Sequence, residues 1–269
     1  MSNAESRPAE IVPLAWDTQQ FGFPVARLQA AGLATSEIER LIGSAQAAGI
    51  EMLVVTTGPQ QELANETLYR FGGILADDKV TFERSLADDT PLRLAASTDR
   101  YDEQACIGPC ELDEYLADER LAAELLGLSL ASGQYSRFRV DRRFPRSAFE
   151  TLYRLWIERS VRRELADVVL VARAADRHSA LAGMITVAVA GQVGTIGLVA
   201  VAEAARGQGI GTRLIEAAHD EMRRRGAGTA RVVTQLVNRP ACGLYRRAGY
   251  RLAATERIYH FWPRRAAAA

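Results

Sequence analysis

The sequence predicts an α/β protein with a mixed sheet, in which a smaller N-terminal α/β domain precedes a larger domain. Of the 269 residues, 48% are hydrophobic and 25% are charged, as in ordinary globular proteins. Strand and helix patterns alternate in only part of the chain, which favours a mixed sheet over a fully parallel one. In addition, a glycine-rich turn joins a strand pattern to a helix pattern in the second half of the chain.

The N-terminal domain is predicted over residues 1–90. Residues 2–4, Ser-Asn-Ala, look like the remnant of an expression tag and are left out of the fold prediction. Apolar and alternating patterns predict three strands and two helices: strands at 23–29, 51–56 and 79–85, and helices at 35–48 and 63–71. The polar, turn-forming run at 88–91 predicts the domain boundary.

The second domain is predicted over residues 91–269. Its strands are expected at 92–96, 167–173, 181–201, 229–237 and 250–262. Its helices are expected at 111–130, 147–163, 211–225 and 238–248. The long apolar stretch at 181–201 contains the turn Gly191-Gln192-Val193-Gly194, which predicts a hairpin rather than a membrane span.

Charge and cysteine content exclude several classes of protein. With 33 basic and 33 acidic side chains the net charge is zero, which argues against a nucleic-acid or membrane binder. Three cysteines cannot form a disulfide framework, and the N-terminus lacks a signal-peptide pattern, so we expect a cytoplasmic protein. Cys106 and Cys110 have no second pair or nearby histidine, so no metal is expected. A serine-hydrolase G-x-S-x-G motif is also lacking.

The most informative segment is an apolar strand, a polar loop, and then Gly207-Gln208-Gly209-Ile210-Gly211 at the start of a helix. Alternating glycines let backbone N–H groups converge on an anion at the positive end of the helix. A glycine-rich connection without a ligand is the alternative. The segment lacks the Lys-Ser/Thr of a nucleotide-triphosphate loop and the G-x-G-x-x-G spacing of a dinucleotide loop. It therefore predicts a different phosphate site.

The pattern R-x-x-G-x-G, formed by Arg206, Gly209 and Gly211, resembles the GNAT superfamily of acyl-CoA-dependent N-acetyltransferases. The resemblance continues through residues 238–241 and 244–250, so that it covers about 65 contiguous residues. It implies a GNAT domain in which the loop binds the pyrophosphate of acetyl-CoA. The residues implied in binding this cosubstrate are Leu198, Val199, Ala200, Val201, Arg206, Gly207, Gln208, Gly209, Ile210, Gly211, Thr212 and Asn238.

Segments at both ends of the chain are similar to a narrower group, bacterial acetyltransferases of the dTDP-fucosamine type that act on nucleotide-linked amino sugars. They are residues 13–17, 21–23, 234–235 and 259–262. The resemblance implies four substrate-binding candidates, namely Trp16, Phe21, Gln235 and His260. A buried interface cluster explains the first two equally well, and a structural histidine is the preferred interpretation of His260.

For the reaction, the resemblance implies that two central strands separate and that freed N–H groups on the strand at 196–201 hold the thioester carbonyl. Tyr245 is the candidate general acid, because a phenol can protonate a departing thiolate. Its alternative is a core tyrosine of an amphipathic helix. The strand before the loop carries no glutamate to act as a base, and Glu203 is expected to be solvated. A water chain held by Gln235 or His260 could then remove the amine proton.

The sequence thus predicts acetyl transfer from acetyl-CoA to a primary amine by direct attack, with a nucleotide-linked amino sugar as the favoured acceptor. Two alternatives remain: a GNAT enzyme acting on an amino acid, antibiotic or protein amine, and a non-catalytic acyl-CoA-binding sensor. The expected partner is a small-molecule amine and neither a nucleic acid nor a membrane. A homodimer is one option for the oligomeric state.

Overall fold

The structure is a computed structural model, and it describes residues 10–87, 105–174 and 180–263. The first of these ranges contains β1 (Val12–Pro13), α1 (Ala15–Phe21), β2 (Val25–Gln29), α2 (Thr35–Ala47), β3 (Met52–Thr57), α3 (Glu62–Arg70) and β4 (Ile74–Ser85). The second contains β5 (Ala105–Pro109), α4 (Leu112–Ala117), α5 (Glu119–Ser132), α6 (Arg137–Val140), α7 (Arg146–Val161) and β6 (Val168–Ala174). The third contains β7 (Gly183–Ala190), β8 (Val193–Val201), a 3₁₀ turn (Glu203–Ala205), α8 (Ile210–Arg224), β9 (Thr229–Gln235), α9 (Arg239–Arg247) and β10 (Arg251–Phe261).

The chain divides into two compact units. The first consists of residues 1–79, 136–148 and 255–269, and the second of residues 80–135 and 149–254. The predicted boundary at residue 90 and the predicted strand at 92–96 lie outside the described residues, and the two-domain division at that point stays a prediction.

In the first unit, β2 and β3 run parallel, with β1 antiparallel to β2 and β10 antiparallel to β3. The core lies between these strands and helices α2 and α3, and β10 contributes Tyr259 and Phe261 to it. Gly73 allows this contact, because a β-carbon there would lie 2.5 Å from the Phe261 ring and 2.8 Å from the Leu68 carbonyl oxygen. Residues of the last described strand are thus part of this core.

In the second unit, β5, β6, β7 and β8 are successive antiparallel neighbours, and β9 lies parallel to β8. The predicted mixed sheet is therefore confirmed. Helix α8 packs on one face of this sheet, where Ile185, Val187 and Ile196 meet Leu214 and Ala218. Side chains alternate between the two faces of a strand, so Thr186 points to the opposite face.

Most predicted helices are found within two residues of their expected ends, but one expectation was wrong. The helix expected over residues 111–130 is two helices, α4 and α5, separated at Asp118. The side chain of Asp118 accepts hydrogen bonds from the backbone N–H groups of Arg120 and Leu121 and so begins a new helix. The strands expected over residues 250–262 are the single strand β10.

Candidate active site

Strand β8 has one edge that is paired along its length and one edge that is paired only at its start. The pairing with β7 extends from Ala190 and Val193 to Gly183 and Val201. The pairing with β9 begins at Val193 and ends at Ile196, which lies opposite Val232. Strand β9 continues to Gln235, so the two strands separate beyond Ile196 and leave the last part of β8 with an open edge.

A bulge lies where this separation begins. Ile185 pairs with Val199 and Val187 pairs with Ile196, so that two residues of β8, Gly197 and Leu198, lie opposite Thr186 alone. The N–H group of Leu198 donates to the Thr186 hydroxyl oxygen at 2.8 Å. This buried hydrogen bond replaces the ladder bond that the bulge removes.

The backbone N–H groups of Val199 and Val201 face the open edge. The N–H group of Ala202 donates to the Ala182 carbonyl at 2.9 Å, on the β7 side. Because N–H directions alternate along a strand, the N–H group of Ala200 points to β7 as well. Those of Val199 and Val201 then point to the side from which β9 has departed, and they can donate to a ligand that enters there.

The loop after β8 leads into an uncapped helix start. Gly207 and Gly209 have φ angles of 77° and 76°, which side chains rarely adopt, and Gly209 is the residue before α8. No side chain caps α8, and its first turn carries no acidic residue. The first-turn N–H groups, which begin with those of Ile210, Gly211 and Thr212, therefore remain available to an anion.

Arg206 and Gln208 hold this loop through backbone oxygens. Arg206 Nε donates to the Val201 carbonyl at 3.4 Å, and Gln208 Nε2 donates to the Ala204 carbonyl at 3.0 Å. The buried Oε1 atom of Gln208 has no hydrogen-bond donor in the part of the chain that the structure describes. The Arg206 side chain is exposed, as a group that contacts a soluble anion would be.

Helices α8 and α9 meet the end of β8 at Gly211. A β-carbon on Gly211 would lie 3.2 Å from the Leu244 side chain and 3.7 Å from that of Val201. Asn238 begins α9, because its Oδ1 atom accepts from the Ala241 N–H group at 3.2 Å. The predicted anion site, the open strand edge and the helix that carries Tyr245 are thus parts of one packed region.

Residues 135–250 match the family described as "Acetyltransferase (GNAT) family". This part of the chain has the fold of a GNAT domain. No curated protein matches the chain significantly.

Similar solved structures cover nearly the whole chain, at identities that show the fold alone. A functionally unknown conserved protein from Staphylococcus epidermidis has a TM-score of 0.66 and 13% identity, over 97% of this chain and 94% of that one. A GCN5-related N-acetyltransferase from Sphaerobacter thermophilus has a TM-score of 0.63 and 17% identity, over 96% and 78%. A tandem GNAT protein from the clavulanic acid biosynthesis pathway has a TM-score of 0.56 and 16% identity, over 91% and 77%.

Tyr245 lies inside the GNAT domain on α9, with 1% of its surface exposed. Its ring is 6.1 Å from that of Phe82 and 5.7 Å from that of Tyr250, measured between centroids. No hydrogen bond of its hydroxyl group is found among the described residues. Burial raises the pKa of Tyr245 well above that of an ordinary phenol. The phenol of Tyr245 therefore stays protonated over a wider pH range than that of an exposed tyrosine.

Cys242 lies on α9, one turn before Tyr245. Gln235 is the last residue of β9. The Cys242 thiol donates to the Gln235 carbonyl at 3.5 Å, so that this contact uses the backbone and not the side chain of Gln235. Burial raises the pKa of the Cys242 thiol. A protonated, buried thiol is a poor nucleophile, which is consistent with the predicted direct attack of the amine.

His219 and Tyr250 form a buried polar pair that no sequence motif indicates. His219 Nε2 and the Tyr250 hydroxyl are 2.8 Å apart. Burial and then the positive charges of Arg84 and Arg223 lower the pKa of His219 to about 3, so the imidazole is neutral. The sequence could have indicated only that His219 is buried, because it falls on the same buried stripe of α8 as Ile215 and Met222.

Three of the predicted substrate-binding residues lie in the first unit. Trp16 is 42% exposed, whereas Phe21 is buried and its ring centroid is 4.8 Å from that of Phe144. His260 is fully buried and its Nδ1 atom lies 2.9 Å from Asp141 Oδ2, which also accepts from Trp262 Nε1 at 2.8 Å. Burial lowers the pKa of His260. A substrate-binding role for these residues stays a prediction.

Within the described ranges, no group of three or more histidine, cysteine or acidic side chains is arranged to hold a metal ion. Over the same ranges, no helix combines the length and apolarity that crossing a membrane requires. Glu203 is exposed in the 3₁₀ turn, as expected.

Proposed function

We propose that this protein transfers an acetyl group from acetyl-CoA to a primary amine by direct attack. The observation that carries the proposal is the open edge of β8, which is followed by the uncapped start of α8. These features supply backbone donors for the two acceptor groups of an acyl-CoA, its thioester carbonyl and its pyrophosphate. The match of residues 135–250 to the GNAT family supports the same reaction.

In this proposal most contacts to acetyl-CoA are made by backbone groups. The N–H groups at the start of α8, together with Gly207, Gly209 and the Arg206 guanidinium, bind the pyrophosphate. Leu198, Ala200 and Val201 line the pantetheine arm, and Asn238 fixes α9 beside it. The Val199 N–H group donates to the thioester carbonyl oxygen, where negative charge develops as the amine attacks.

Tyr245 is the proposed general acid. The amine nitrogen bonds to the carbonyl carbon, the carbon–sulfur bond breaks, and the departing thiolate takes the phenolic proton. The proton that the amine loses passes through water and restores the phenol. Burial raises the pKa of Tyr245, and the same dry surroundings disfavour the thiolate, so that the transfer stays feasible.

The proposed acceptor is a nucleotide-linked amino sugar of the dTDP-fucosamine type. The segments at residues 13–17, 21–23 and 259–262 support this choice by their resemblance to such enzymes. Trp16, Phe21, Gln235 and His260 are its proposed contacts. A cytoplasmic location and a homodimer belong to the same proposal.

The test is a screen with acetyl-CoA in which a thiol reagent detects free CoA. The amines are dTDP-fucosamine, glucosamine, an aminoglycoside, an amino acid and a lysine-containing peptide. The proposal predicts the highest kcat/KM for dTDP-fucosamine. Acetylation of the peptide alone would reject the amino-sugar acceptor, and acetyl-CoA binding without transfer to any amine would favour a sensor.

A further inference from the structure

Arg137 is linked to two buried residues of the first unit by hydrogen bonds. Its Nη1 atom lies 3.4 Å from His260 Nε2, and His260 Nδ1 lies 2.9 Å from Asp141 Oδ2. A guanidinium group can only donate, so His260 Nε2 accepts from Arg137, and Nδ1 carries the ring hydrogen that is donated to Asp141. His260 and Asp141 are 0% and 2% exposed. This buried pair therefore ends in an acceptor that holds Arg137.

The Arg137 side chain is held on two sides and is partly exposed. Its guanidinium carbon lies 4.4 Å from the centre of the Phe138 ring, which is a cation–π contact. His260 holds one of its N–H groups on another side. These contacts fix the direction of a positively charged group that reaches the surface.

The segment that contains Arg137 is strongly positive, although the whole chain has no net charge. Residues 136–148 contain five arginines and one acidic residue, the buried Asp141. Arg139 and Arg142 are exposed, and neither forms an ion pair with a residue that the structure describes. Local positive charge attracts anions, and an arginine binds phosphate oxygens through two parallel hydrogen bonds. The segment therefore fits a phosphate or diphosphate group.

Helix α1 lies next to Arg137 and carries an exposed aromatic side chain. The ring centroids of Phe21 in α1 and Phe138 are 5.6 Å apart. Burial raises the pKa of Asp17 in the same helix, and the positive charge of Arg137 acts on this carboxyl in the opposite direction. Trp16, the residue before Asp17, is 42% exposed. Because an aromatic side chain can stack on a nucleobase, this region offers contacts for a base and for a phosphate.

We propose that Arg137, positioned by His260 and Asp141, binds the diphosphate of a nucleotide-linked acceptor substrate on the first unit. This inference rests on the proposed acceptor, and it assigns the residue that holds the nucleotide end. Arg137 contacts the diphosphate, and Trp16 stacks on the base. His260 is fully buried, so it takes part in substrate binding through Arg137.

The first measurement is the binding of dTDP, which carries neither a sugar nor an amine, to the full-length protein. Calorimetric titrations are made with CoA at saturation, so that the pyrophosphate site proposed at α8 is occupied. We expect dTDP to bind, and thymidine, which has no phosphate, to bind about ten-fold more weakly. Equal affinities for dTDP and thymidine would overturn the proposal, as would a lack of dTDP binding at millimolar concentration.

The second measurement compares two arginines of the first unit. Arg137→Gln removes the charge and the paired donors, so the Kd for dTDP should rise about ten-fold. Arg40→Gln removes the same charge from an exposed residue of α2 and should leave this Kd close to wild type. Thermal unfolding checks that both variants fold. Equal Kd values for Arg137→Gln and wild type would overturn the proposal.

A double-mutant cycle tests whether His260 acts through Arg137. His260→Gln removes the imidazole and should raise the Kd for dTDP about five-fold in the wild-type background. In the Arg137→Gln background the same change should alter the Kd less than about two-fold, because the group that His260 positions is already absent. Equal effects in both backgrounds would overturn the positioning role. If His260→Gln does not fold, Phe138→Leu, which removes the ring beside the guanidinium, replaces it in the cycle.

The diphosphate site and the proposed function fail separately in this design. Binding of dTDP that depends on Arg137, without turnover of dTDP-fucosamine, supports the site and rejects acetyl transfer to this amine. Turnover of dTDP-fucosamine with the same KM in Arg137→Gln and wild type overturns the site and leaves the proposed function standing. If neither binding nor turnover is observed, both are overturned.

Discussion

The two edges of β8 differ in what their backbone groups do. On the β7 edge the pairing continues to Val201, and the Thr186 hydroxyl oxygen accepts from the bulged Leu198 N–H group. On the β9 edge the ladder ends at Ile196. One strand thus anchors the sheet on one side and offers unpaired donors on the other. The comparison indicates that the site is made by stopping a strand pair early, with few specialised side chains.

Proline substitutions at two adjacent positions test the two edges of β8 separately. The substitution on the open edge should give the largest loss of activity of all the predicted changes. Val199→Pro removes an N–H group that faces the open edge, so we expect a folded protein whose kcat falls about 100- to 1,000-fold. Ala200→Pro removes an N–H group that points to β7 and should instead lower the melting temperature. Steady-state kinetics and thermal unfolding of both variants measure this. A Val199→Pro enzyme that folds and keeps wild-type kcat would contradict the proposed role of the open edge.

The second prediction concerns Tyr245, the proposed acid for the thiolate that leaves from the open edge. Tyr245→Phe removes the phenolic proton and should lower kcat about 100-fold, with little change in the KM for acetyl-CoA. Because burial raises the pKa of Tyr245, the phenol stays protonated in alkaline solution. The wild-type kcat should therefore not fall between about pH 8 and pH 10 through loss of this proton. An unchanged kcat in Tyr245→Phe would remove Tyr245 as the acid.

The third prediction compares two helix starts and tests whether the open edge leads to an anion site. Helix α5 begins with Asp118, whose carboxylate accepts from its first N–H groups, whereas α8 begins with Gly209. Gly209→Asp places a negative charge at α8 and should raise the KM for acetyl-CoA about ten-fold. Gly209→Asn imposes a similar backbone cost without the charge and serves as the control. Equal KM values for the two variants would argue against a pyrophosphate at this position.

The smallest effect is expected at Cys242. Cys242→Ala removes a buried thiol beside the site, and direct attack needs no thiol nucleophile, so kcat should change less than about two-fold. Mass spectrometry of the wild-type enzyme with acetyl-CoA should find no acetylated cysteine. An acetyl group on Cys242 during turnover would replace direct attack with a two-step mechanism.

Local patterns predicted the parts of the site that depend on neighbouring residues. The glycines at 207 and 209 indicate a turn by their conformational freedom, and Asn238 indicates a helix start by its capping side chain. The end of the β8–β9 pairing was implied by family resemblance, but its position at Ile196 and Val232 depends on two segments that lie far apart in the sequence. No local pattern could locate it.

The bulge that sets Gly197 and Leu198 opposite Thr186 illustrates the same limit. The raised pKa of Tyr245 also escaped prediction, because burial by Phe82 and Tyr250 follows from tertiary packing.

Amide hydrogen exchange along β8 tests the central claim most directly. In the free protein the N–H groups of Val199 and Val201 should exchange faster than that of Ala200, which bonds to β7. Saturating acetyl-CoA should slow exchange at Val199 and Val201 and leave Ala200 unchanged. If acetyl-CoA binds and the exchange rates at Val199 and Val201 stay the same, the open edge of β8 does not hold the thioester.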